Sequence, residues 1–67
     1  MPVIDMKDYK MIVGDKVYNV LQIALVLEDN GEGKSKVRFI EASYIDENGM
    51  VQIMNDEASK FQFVKRI

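Results

Sequence analysis

The residue group in this chain that best matches a chemical motif is Gly33-Lys34-Ser35, the closing triplet of a phosphate-binding P-loop. That motif requires its first glycine where this chain has Glu28, and a carboxylate there repels phosphate. It also requires a following helix whose N-terminus faces the anion. Val37-Arg38-Phe39-Ile40 reads instead as strand, so the triplet is expected to be a polar loop tip. Nucleophilic catalysis needs an activated hydroxyl or thiol and a base beside it. The chain has no histidine and no cysteine, its serines are Ser35, Ser43 and Ser59, and no lysine adjoins a serine in a way that marks it as a base. Asp46-Glu47 and Asp56-Glu57 are paired carboxylates of the kind used in acid–base work. As neighbours in turns, such pairs ordinarily form solvated surface. No catalytic residue is assigned, and the chain is expected not to be an enzyme.

Metal and cofactor chemistry is equally sparse. The nitrogen and sulfur ligands of structural zinc are missing. Asp29-Asn30-Gly31-Glu32 and Asp46–Gly49 each collect oxygen atoms near a glycine, but neither extends into the twelve-residue calcium loop. No metal and no cofactor is expected. One basic feature stands out: Lys34, Lys36 and Arg38 alternate, so their side chains can project from one face. Lys65 and Arg66 add charge further along the chain. Such a stripe on a small barrel could hold a nucleic-acid backbone. A solvated edge on which lysine discourages aggregation gives the same pattern. Nine basic against eleven acidic residues, net charge −2, favour that plainer reading.

Any such residues must be positioned by strands. Gly14-Asp15 separates two runs rich in Val, Ile, Tyr and Met, a two-residue hairpin signal between strands at 9–13 and 16–28. A polar, glycine-containing loop at 29–35 precedes a third strand at 36–45. Asp46-Glu47-Asn48-Gly49 suits a type I turn leading to a strand at 50–54. Asn55–Lys60 can form one helical or 3₁₀ turn before a last strand at 61–66. The register of the second hairpin is open. A two-residue turn pairs Tyr44 with Ile53, and a four-residue turn pairs Tyr44 with Val51. Either places Ala42, Tyr44, Val51 and Ile53 on one face, the expected core face. Val17, Leu21, Ile23, Leu25 and Leu27 should join it, with Phe39 brought in by a bulge or sharp bend near 40–42. The last strand buries either Phe61 and Phe63 or Val64.

Sixty-seven residues make a single domain, with 1–8 expected as a flexible N-terminal arm. The architecture expected is mostly β: a small five-stranded antiparallel SH3-like barrel with one short helical turn before the last strand. An OB-like barrel is the runner-up, and it normally has a longer helix between its third and fourth strands. The longest apolar stretch, 20–27, contains Gln22 and is too short to span a bilayer. With no secretory signal and no cysteine, a cytoplasmic setting without membrane association is expected.

A chain this short exposes much of its surface and commonly gains stability by disulfides, metal or self-association. Only the last is open to it. Strand 16–28 is apolar on both sides, and Tyr18, Val20, Ala24 and Val26 lie opposite its expected core positions. A strand apolar on both faces is buried on both or carries a contact surface. Those four residues are the candidate interface for a protein partner or a homodimer.

The segments GDKVYNVLQI, YIDENG and DEASKFQFVKR resemble small uncharacterised proteins carried by phages and mobile elements of Gram-positive bacteria. The resemblance spans most of the chain but rests on turns and strands. It implies an accessory or host-interaction role and transfers no functional residue. The function expected is a non-catalytic protein-binding or self-associating module. The alternative is a small nucleic-acid-binding barrel using Lys34, Lys36 and Arg38.

Overall fold

Runs of β-branched and aromatic residues become strands wherever turn residues bound them. The computed structural model describes residues 2–29, 31, 33 and 35–67. Its strands are β1 (Val3–Asp5), β2 (Tyr9–Val13), β3 (Lys16–Asp29), β4 (Ser35–Ile45), β5 (Val51–Glu57) and β6 (Phe61–Lys65). A 3₁₀ turn, Ala58–Lys60, precedes β6. All pairings are antiparallel, in the order β5-β4-β3-β2-β6, with β1 also on β3. The mostly-β class and the turn before the last strand agree with expectation. The strand count does not: there are six among the described residues, and β5 and β6, each paired on one side, form the two ends of an unclosed sheet.

Strand β3 organises the fold. One of its edges carries β4, and the other carries β2 at 16–18 and β1 at 22–24. The segment expected as a flexible arm thus contributes the sixth strand. Met6 turns the chain between β1 and β2: its N–H donates to the Leu21 carbonyl at 2.9 Å, and its own carbonyl accepts from Tyr9 at 3.0 Å. Gly14, with φ +63°, occupies the first loop position of the β2–β3 hairpin, where a type II′ turn requires positive φ.

The β4–β5 turn follows neither register left open above. The Gly49 N–H donates to the Asp46 carbonyl at 3.0 Å, and the Asp46 N–H donates to the Met50 carbonyl at 2.8 Å. Gly49 has φ +80°, the left-handed residue that closes a type I turn with a G1 bulge. The loop is therefore 47–49, and Tyr44 pairs with Gln52, Ile45 with Val51, and Ser43 with Ile53. A shift of one residue turns every side chain of a strand over. Val51 and Ile53, expected in the core, face outward at 62% and 65% exposure.

Strand β3 was expected to keep one parity, and it does not. Val20 pairs with Tyr44 and Gln22 with Ser43, leaving Leu21 as an extra, bulged residue. Inward positions are consequently Tyr18 and Val20 before the bulge, and Ile23 and Leu25 after it. Val17 and Leu27 are exposed. A second register shift falls between Val26 and Leu27, opposite Arg38, so the bulge expected at 40–42 lies elsewhere. The buried core is Met6, Met11, Val20, Ile23, Ile40 and Ala42. Phe61 and Phe63 stack at 6.2 Å and pack against it, whereas Val64 is exposed. Tyr18 and Tyr44 meet edge-to-face at 4.8 Å beside Val20.

The Asp46 carboxylate holds the second turn. One oxygen accepts from the N–H groups of Asn48 and Met50, both at 2.9 Å, and the other from the Gln52 amide at 3.0 Å. The Met50 amide, then the Gln52 side chain, hold its pKa below the ordinary 3.8. A depressed carboxyl supports the fold above its unfolded pKa and loses that support as pH falls through the folded value. The Met50 amide resonance is expected to titrate with a midpoint under 3.8. A midpoint at or above that value would remove these bonds from the solution structure.

Candidate functional site

Three surfaces bear on function, and the structure redistributes the residues expected to form them. The first, Tyr18, Val20, Ala24 and Val26, is not one surface. The bulge at Leu21 sends Tyr18 and Val20 to the inner face, and Val20 is only 1% exposed. Ala24 and Val26, beyond the bulge, pair with Glu41 and Phe39 on the outer face and are half-buried. The interface expected from these four residues is therefore corrected, because Val20 is core.

The second is the basic stripe. Lys34 lies outside the described residues. Lys36 pairs across the ladder with Glu28, and the Arg38 guanidinium donates to the Glu28 carboxylate at 3.0 Å. Both cations border a shallow cleft that also includes Glu57. Arg66 is engaged as well: its side chain donates to the Tyr9 carbonyl at 3.2 Å and to Asn19 Oδ1 at 3.4 Å. Acidic partners thus interrupt the positive field that a polyanion would need.

The third surface contains none of the residues assigned above to a site. Ile45, Met50, Val51 and Ile53 are exposed together at the β4–β5 hairpin. Ile45 and Val51 form a cross-strand pair, and Ile53 lies opposite Ser43. This apolar row adjoins the free edge of β5. In an antiparallel ladder, successive residues point their backbone groups to alternate sides. Asp46 and Met50 share a backbone bond, so the even residues Gln52, Met54 and Asp56 address β4. Val51, Ile53 and Asn55 therefore turn their N–H and C=O groups to the open edge. The Glu57 N–H donates to the Asp56 carboxylate at 2.8 Å, which closes the edge at that end.

Natural sheets protect such edges with lysine, proline or bulges. Positions 39–59 contain no lysine, arginine or proline. That gap is the sequence signal that could have located this surface. At the β6 end of the sheet the sequence instead supplies Lys60 and Lys65.

Among the described residues, potential catalytic groups are dispersed. Ser43 lies on the outer face opposite Ile53, Ser35 pairs with Asp29 at the start of β4, and Ser59 lies in the 3₁₀ turn. Among the described residues, the carboxyls with displaced pKa are Asp5 and Asp46, and both are lowered by backbone N–H bonds, from Lys7 and Met50 respectively. A general acid at neutral pH would need the opposite displacement. Among the described residues, no three His, Cys, Asp or Glu side chains gather as metal ligands, and no helix is long and apolar enough to cross a membrane. No protein-family model, curated protein or solved structure matches this chain.

Proposed function

We propose that this chain is a non-catalytic binding module that recognises protein through the β5 edge and the apolar row beside it. The observation that carries this reading is Ile53, 65% exposed on an edge strand whose backbone groups are open. An extended segment laid against such an edge gains main-chain hydrogen bonds, and alternate side chains supply specificity. The bent β3 shared between pairings and the 3₁₀ turn before β6 also support reading the sheet as an opened relative of the SH3-like barrel. A cytoplasmic setting, supported by the lack of cysteine, and an accessory role in a phage or mobile element, supported by the resemblance of its turns, belong to the same proposal.

Selection of displayed extended peptides against the immobilised chain tests it. Enriched peptides are expected to bind at roughly 0.5 M salt, where exposed charges are screened. They should lose binding to Ile53→Lys and keep it to Val64→Lys, a change on an exposed residue of β6 at the other end of the sheet. An oligonucleotide titration at about 50 mM salt tests the basic stripe in parallel. Micromolar affinity there, abolished by Lys36→Ala with Arg38→Ala and joined to failure of every peptide, would replace the protein reading with the nucleic-acid one.

A further inference from the structure

Resting on that reading, we propose that the occupant of the β5 edge is a second copy of this chain, paired antiparallel about a two-fold axis through Ile53. The open backbone groups lie at Val51, Ile53 and Asn55, and the Asp56 carboxylate ends the row by taking the Glu57 N–H. Only a dyad at the middle residue satisfies all of them. Ile53 then exchanges both hydrogen bonds with its own copy, while Val51 and Asn55 exchange bonds with each other across the axis. The edge is self-complementary in its bonding pattern.

Side chains and charges agree with this arrangement. The odd residues share the outer face, so Ile53 meets Ile53 of the second copy at the axis, flanked by Val51 from each chain. The acidic pair Asp56-Glu57 falls at opposite ends, with the two Asp56 residues about 20 Å apart. A parallel pairing would instead stack like charges. The surface area points the same way. The chain exposes 5072 Å². A compact monomer of this mass exposes roughly 4,300 Å². The excess is about 700 Å², close to the roughly 800 Å² each partner contributes to a standard interface. Its elongated form, 43 × 20 × 19 Å, carries that excess.

The other edges are poorer candidates. Strand β1 has three residues, and β6 is bracketed by Lys60 and Lys65. A β5-to-β6 contact would be heterologous, and such contacts build rings or filaments rather than a closed dimer.

The chain contains no cysteine, so introduced thiols report the register without interference. A hydrogen-bonded antiparallel pair places Cα atoms about 5.5 Å apart, within disulfide reach. Ile53→Cys is therefore expected to cross-link to itself under mild oxidation. Val51→Cys and Asn55→Cys should each stay reduced alone, since like positions lie roughly 14 Å apart, and should cross-link when mixed. Sedimentation of the parent chain should give twice the monomer mass, and Ile53→Lys should halve it with the β-type circular dichroism intact. The mixed pair keeps the test valid should Ile53→Cys fold poorly. A monomeric parent at high micromolar concentration overturns the proposal. So does self-linking of Val51→Cys as fast as the mixed pair, or cross-linking of Ile53→Cys to Gln62→Cys on β6. A monomer that still selects peptides at this edge leaves the protein-binding reading standing; a monomer that selects none removes both.

Discussion

A lysine at position 20 is expected to unfold this protein. Val20 is 1% exposed and packs with Met11, Ile23 and Ala42 on the inner face. Tyr44 pairs with it across the ladder and closes edge-to-face on Tyr18. An ammonium there would meet no acidic partner among the core residues, and an unpaired buried charge costs several kcal/mol even after relaxation. A single core in a chain of this size rarely supplies more than about 3–5 kcal/mol. The substitution therefore removes most or all of the net stability. Far-UV circular dichroism of Val20→Lys should show an unfolded chain at 25 °C, and the near-UV tyrosine signal should vanish. Val17→Lys, three residues earlier on an exposed position, should keep both signals. A cooperative melt for Val20→Lys close to that of the parent would return Val20 to the surface.

Met11→Ala is the next most damaging change, with an expected loss of about 2–5 kcal/mol. Met11 is completely buried, and β2 is paired on both sides at that point, with Tyr18 of β3 and Phe63 of β6. Truncation leaves a void bounded by three strands, and a residue paired on both edges can shift little to fill it. Urea denaturation should show a lowered midpoint with little change in slope. Val17→Ala, on the exposed side of the same hairpin, should stay within about 0.5 kcal/mol of the parent. Equal midpoints for the two variants would mean that β2 is not held between β3 and β6.

The contrast between Val17 and Val20 also shows what the sequence could and could not reveal. Turn chemistry was legible in part: Gly14-Asp15 and Asp46–Gly49 lie where their residue types place them, but of the turn expected at 55–60 only Ala58–Lys60 is 3₁₀, without a side-chain cap, and 55–57 extend β5. Strand positions followed from these turns, with β2 matched to the residue and β3 and β4 within one. Facing was not legible. From Tyr18 to Val26 only Asn19 and Gln22 are polar; both are exposed yet three residues apart, so this one break in parity is the sole trace the inserted Leu21 leaves in the sequence. The second hairpin fails for a related reason. Two- and four-residue loops both keep Val51 on the same face as Tyr44, whereas the three-residue loop, with Gly49 left-handed and Asn48 not, turns β5 over. Strand β1 is too short to display any period. The candidate site inherited these errors: Val20 moved to the core, and Val51 and Ile53 moved to the surface. The basic stripe was legible as charge, but Glu28, ten residues before Arg38, reaches the Arg38 guanidinium only once β3 and β4 are paired.

The pairing of β2 with β6 joins Tyr9 to Lys65, nearly the full length of the chain. Contacts so distant in sequence slow folding, because a long loop must close before they form. During synthesis, β3 can pair with β1, β2 and β4 as soon as those segments emerge. The outer side of β2, including Met11, stays uncovered until residues 61–65 leave the ribosome. At about 5–20 residues per second this interval lasts a few seconds. For that time the nascent chain presents two unpaired edges, β2 on one side and β4 and then β5 on the other; β2 and β4 are later covered by β6 and β5.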